Sequence, residues 1–205
     1  MNKNKKKVLF SVLAMLVAAA LVLFVFYLIS QGKLGSYQSK EQATSEVDTL
    51  LKKDLKTKYP ETPTEVVKYY WRLNKCIYNN SLSDKEMQEL LDQLRILYDD
   101  ELLAMKENSR DEMLQQMQKD KKKFSDQKQV ISTYIVQKNS KVTYNTIDQR
   151  ECATVITGTL MKVKNKSQRK QTYENFLCRK DSKGKWRILG WKQTTDQKEI
   201  SSLGD

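Results

Sequence analysis

The hydrophobic period of this chain changes once, at about Gln129, and that change limits the fold more than any other feature. Before it, apolar residues recur every three to four positions, the repeat of a helix with one buried face. After it they alternate, the repeat of a half-buried strand. "QVISTYIVQ", "KVTYNTID", "ECATVITGTLMKV", "RKQTYENFLCRK" and "KWRILGWKQ" are rich in Thr, Val, Ile and Tyr, as strands prefer. Turns are expected at Asn139 and Ser140, at Lys164–Ser167 and at Asp181–Gly184. Connections this short join antiparallel neighbours. Helices followed by an antiparallel meander make an α+β domain.

Three helices are expected, each opened by a capping box. Thr62-Pro63-Thr64-Glu65 starts one with Val66, Tyr69, Tyr70, Leu73 and Ile77 on a single stripe. Ser83-Asp84-Lys85-Glu86 starts the second, which buries Leu90, Leu91, Leu94, Leu97, Tyr98 and Leu102. Ser109-Arg110-Asp111-Glu112 starts the third, with Met113, Met117 and Phe124 inward. Asp99, Asp100 and Glu101 then fall on a polar helix face, since consecutive helical residues point about 100° apart and cannot converge on a cation. In the last strand Trp186 and Ile188 point to one face and Leu189 and Trp191 to the other. Gly190 permits a bulge there, and the sheet curves around the helices.

Ahead of this domain stands an uncharged apolar stretch, Val8–Ile29, behind the basic tail "MNKNKKK". As a helix it would reach about 33 Å, enough for a bilayer core. A cleaved signal would be shorter, and Ser30-Gln31-Gly32 is a poor cleavage site, so a retained transmembrane helix over residues 8–29 is expected. Lys3, Lys5, Lys6 and Lys7 precede it and only Lys33 closely follows. The positive-inside rule then leaves residues 1–7 in the cytoplasm and places the rest outside, a single-pass protein of the cell membrane held in the lipid bilayer. Residues 30–61 read as a stalk with a short helix over Ser45–Lys58, residues 62–194 as the folded domain and residues 195–205 as a flexible tail.

Of 37 basic and 25 acidic residues, giving +12, five lysines flank the apolar stretch. The remainder carries +7, too weak a bias to favour a nucleic-acid partner. Histidine is absent, which removes Ser-His-Asp and Cys-His catalysis and imidazole metal ligation. Cys76, Cys152 and Cys178 have no C-x-x-C spacing, and neither a P-loop nor a G-x-G-x-x-G pattern occurs. No cofactor, metal or catalytic set is expected.

Capped helices, then antiparallel strands ending on "DSKGKWRILGW", resemble the nuclear transport factor 2-like superfamily over about Thr62 to Thr194. "YPETPTEVVKYYWRLNKCIYNN", "LLDQLRILYDDELLAMKEN" and "TIDQRECA" are similar to an uncharacterised family of membrane-anchored bacterial proteins. The first resemblance implies a cone formed by a bent sheet around the helices, but the fold does not set the chemistry. With no catalytic constellation and the topology above, a non-enzymatic extracytoplasmic domain that binds a protein partner or scaffolds an envelope complex is expected. The alternatives are a small-molecule-binding cone and an isomerase or cyclase. Without histidine, such an enzyme would need a carboxylate or tyrosine such as Glu174 or Tyr70. Each also has a plain structural reading, as an edge glutamate and a core phenol.

Two further features stay open on the sequence. Lys162, Lys164, Lys166, Arg169 and Lys170 crowd one hairpin without an acid, which suits an anionic polymer or partner, or a solvated turn that protects a sheet edge. Cys152 and Cys178 flank that hairpin. An odd loop centred on Asn165 would set them opposite each other for a disulfide, and a shift of one residue would put them on opposite faces.

Overall fold

The computed structural model describes residues 45–204. Helix α1 (Glu46–Leu51) starts at Ser45, whose hydroxyl accepts the Asp48 N–H at 3.1 Å. Helices α2 (Pro63–Asn79) and α3 (Asp84–Ile96) both begin on reciprocal capping boxes, Thr62 with Glu65 and Ser83 with Glu86. Next come α4 (Asp100–Ala104), a 3-10 turn at Lys106–Asn108 and α5 (Arg110–Asp126). Ser109 caps α5 by accepting from the Glu112 N–H. Strands β1 (Gln129–Val136), β2 (Thr143–Ile147), β3 (Arg150–Val163), β4 (Arg169–Lys180) and β5 (Trp186–Gln193) precede the short α6 (Gln197–Ser201).

The sheet is antiparallel and curved, in the order β1-β3-β4-β5. The long strand β3 is shared along one edge by β2 and β1. The core fills its inner face: Val66, Leu73 and Ile77 of α2 and Leu90 and Leu91 of α3 meet Val155, Phe176, Cys178 and Ile188 of the sheet. Polar ties fix the layers. Asn79 clamps the backbone of Ile131, donating to its carbonyl and accepting from its N–H, both at 2.9 Å. The Tyr59 hydroxyl donates to the Trp186 carbonyl at 2.6 Å.

Several expectations are corrected. The expected fold opened with a membrane-spanning helix, yet among the described residues no helix is long and apolar enough to cross a membrane. The stretch assigned to it, Val8–Ile29, lies outside those residues. The described part is an α+β unit with a curved antiparallel sheet, and its helical portion is in more than three pieces. The second helix stops at Ile96, because Leu97 accepts from the Ile188 N–H and Asp99 donates to the Ile188 carbonyl. That pairing extends the sheet past β5, and Asp99 then caps the new helix α4. Leu50 and Leu55, expected in a stalk, are core residues. The closing residues, expected as a tail, carry α6, which lies against β3.

The last strand is also rearranged. Leu177 pairs with Gly190 but Cys178 with Ile188, so Leu189 is an extra residue in a bulge. The insertion turns Trp191 back to the face of Trp186 and Ile188, where it stacks on Phe176 with ring centroids 5.7 Å apart. The hairpin between β3 and β4 pairs Lys162 with Arg169, enclosing an even number of residues. Cys178 therefore faces Ala153, Cys152 faces Arg179, and the two thiols lie on opposite faces of the sheet. All three cysteines are free and buried.

Candidate functional site

Along β3 the residues of the inner face are Ala153, Val155, Thr157 and Thr159. The strand is apolar toward β2 and polar toward the hairpin end, though every one of these positions is buried. Strand β4 follows the same gradient, since Phe176 and Cys178 are core while Glu174 sits opposite Thr157. Over the polar half lies a cavity of about 330 Å³, at the small end of the range for ligand pockets. Helix α2 lends it Tyr70, Trp71 and Tyr78, and α5 lends Asp120 and Phe124. The sheet closes it with Thr159 and Glu174, and the exposed Lys170 and Gln193 stand at its rim.

Four aromatic side chains line the cavity, together with Asn74, Ile131, Met161 and Thr172. Tyr78 and Phe124 bring their ring centroids to 4.8 Å, and Trp71 meets Tyr70 edge-on at 5.4 Å. Behind these rings sit polar atoms without partners. Trp71 Nε1, Thr157 Oγ1, Thr159 Oγ1 and Glu174 Oε2 are buried and make no hydrogen bond. A buried donor or acceptor left unpaired costs about 1–3 kcal/mol, so four near one cavity is a concentration that calls for a cause. Burial pushes the Glu174 carboxyl up to about 7 and raises the Tyr70 phenol well above its ordinary value.

A larger groove of about 780 Å³ runs past Lys53, Tyr59, Tyr69 and Arg72, but it is open and several of its charged groups already have partners. Arg72 binds Glu46 at 2.6 Å, the Lys53 ammonium lies 3.9 Å from the Tyr69 ring centroid, and Glu65 closes the capping box of α2. We therefore regard the smaller cavity as the site. Among the described residues no group of acids and cysteines could hold a metal ion.

The structure brings together Glu174 and Tyr70, the two side chains named from sequence as chemically capable. Of the basic hairpin, Lys170 reaches the rim, while Lys164, Lys166 and Arg169 are exposed beyond it and Lys162 lies opposite Arg169. Trp71, Thr157 and Thr159 were not anticipated. Their signal was available in "CATVITGTL", where the alternation that buries Ala153 and Val155 also buries two threonines.

Residues 1–191 match the family described as a domain of unknown function, DUF6715. The chain belongs to that family. No curated protein matches it. In this DUF6715 domain the cavity is formed by α2, α5 and the sheet, so each wall comes from a different part of the fold.

Proposed function

We propose that the domain binds a small molecule in the cavity over Glu174, as a cone of the nuclear transport factor 2-like kind. The observation that carries this reading is a cavity lined by four aromatic side chains and by Glu174, whose Oε2 is buried without a hydrogen bond. A ligand that donates to this carboxyl would complete it. This takes the small-molecule alternative ahead of the protein-partner reading, for which the support is the exposed basic hairpin. The lysine excess ahead of Val8–Ile29 supports an extracytoplasmic position.

The test is native mass spectrometry and solvent extraction of the full chain, beside Gln193→Trp, which narrows the rim from an exposed position. The expected result is a small molecule released by the parent and lost from the variant. A parent that carries nothing and is stabilised by no compound in a fragment screen would refute the reading.

A second reading is favoured by one observation, the Glu174 carboxyl at about 7, the range that suits a general base. Incubating the extracted compound with the protein in deuterium oxide separates the two. Recovery of the unlabelled compound means binding alone, and carbon-bound deuterium that needs Glu174 means proton transfer.

A further inference from the structure

We propose that the ligand of this cavity is an organic ammonium compound, an apolar or aromatic body whose protonated amine pairs with Glu174. The inference rests on the small-molecule reading and adds the charge of the ligand. Glu174 Oε2 is buried without a hydrogen bond, and no cation lies within ion-pair distance of this carboxyl among the described residues. A carboxylate buried this way is destabilised unless a positive charge comes to it. Four aromatic side chains line the same cavity, and an aromatic ring attracts a cation placed over its face.

The groups around Glu174 favour a cation from each side. Helix α5 contributes Asp120, a second acid. Helix α2 contributes Tyr70 and Tyr78, whose phenols burial keeps protonated. Strand β3 contributes the neutral Thr157 and Thr159, and β5 the neutral Gln193. The one base, Lys170 of β4, is exposed at the rim, where water screens it. An anionic ligand would meet two acids, and a plain hydrocarbon would leave the Glu174 carboxyl unpaired.

Three probes of like shape test this on the full chain: 2-phenylethylamine, 2-phenylethanol and 3-phenylpropionate, titrated calorimetrically at pH 8. The amine should bind at least ~10-fold more tightly than the alcohol, with the carboxylate weakest, as expected for one charge-assisted hydrogen bond. Glu174→Gln should erase that preference while its circular dichroism stays that of the parent. Amine affinity should fall as pH drops below about 7, where Glu174 takes up its proton. An alcohol or carboxylate that binds as tightly as the amine overturns the cation and leaves the cavity reading intact. Binding by none of the three, with no ligand recovered from the parent, overturns both.

Discussion

Strand β4 carries two charged residues at sites sheltered from water, and the protein treats them in opposite ways. Arg179, on the outer face near the end of the strand, is 7% exposed and is held by Asp99, itself 2% exposed. Its guanidinium grips that carboxylate with two hydrogen bonds, one of them Nε to Oδ2 at 3.1 Å, and reaches Glu101 at 2.8 Å. Arg150 adds a longer contact to Asp99 at 3.9 Å. Glu174, on the inner face, has no such company. The outer cluster couples α4 to the sheet with its charges paired, whereas the inner carboxyl remains unpaired beside a cavity. Paired buried charges can hold a fold together, whereas an unpaired one is kept at a cost to stability.

The largest effect should come from breaking the paired side. Arg179→Met leaves the buried Asp99 with only the longer Arg150 contact, and removing one partner of a buried pair costs about 3–5 kcal/mol. That is a large share of a domain's stability. The double variant Asp99→Asn, Arg179→Met should recover part of the loss. Burial works to raise the Asp99 carboxyl, but hydrogen bonds from Arg179 and the Glu101 N–H outweigh it and hold it below the usual carboxylate range. The pair's contribution is thus present at neutral pH and is lost only as pH falls through that lowered value. Urea denaturation measures it. An Arg179→Met protein with the parent's midpoint would show that the cluster does not hold the fold.

The unpaired side should respond in the opposite direction. Glu174 has a folded value of about 7 against 4.5 unfolded, so its stabilising contribution is complete below about 4.5 and disappears as pH rises through 7. Glu174→Gln removes the charge that causes this. The variant should be more stable than the parent at pH 8, by about 1–3 kcal/mol, with the gain vanishing near pH 4.5. Paired denaturation curves at the two pH values decide it. A loss of stability at pH 8 would mean that Glu174 has a favourable partner, and the contrast along β4 would fail.

Much of this was legible in the chain, and what was not has identifiable causes. Thr62, Ser83 and Ser109 mark helix starts because capping is a local interaction. The break after Ile96 follows from the pairing of Leu97 and Asp99 with Ile188, a partner distant in sequence. A local hint existed, since Asp99 precedes two further acids in the manner of a helix start. The face of Trp191 and the separation of Cys152 from Cys178 each depended on a single residue, a bulge at Leu189 in one case and loop parity in the other. Period-2 reasoning cannot survive such an insertion. At the site, Glu174 and Tyr70 could be named for their chemistry. The burial of Trp71 Nε1 and Thr159 Oγ1 without partners depends on how α2 lies across β3, which no local pattern contains.

The smallest effect gives the sharpest test, because it compares one substitution at two buried threonines. Thr64 Oγ1 donates to the Gln137 carbonyl at 3.2 Å, joining α2 to the segment that follows β1. Thr159 Oγ1 has no partner. Valine keeps the shape of threonine and replaces the hydroxyl by a methyl group, at the first turn of a helix for Thr64 and in a strand for Thr159. Thr64→Val should destabilise the domain by about 1 kcal/mol, because a hydrogen bond is lost and a buried carbonyl loses a donor. Thr159→Val should be neutral or stabilising by less than about 1 kcal/mol, because the hydroxyl it deletes is already desolvated and unpaired. Thermal melts of the two variants beside the parent would resolve the difference in sign. Equal losses would mean that Thr159 is satisfied in solution, and the polar half of the cavity would then be ordinary structure. With the opposite signs, Thr159→Val becomes the variant of choice for binding studies, since any weakening of a ligand could not be blamed on an unstable fold.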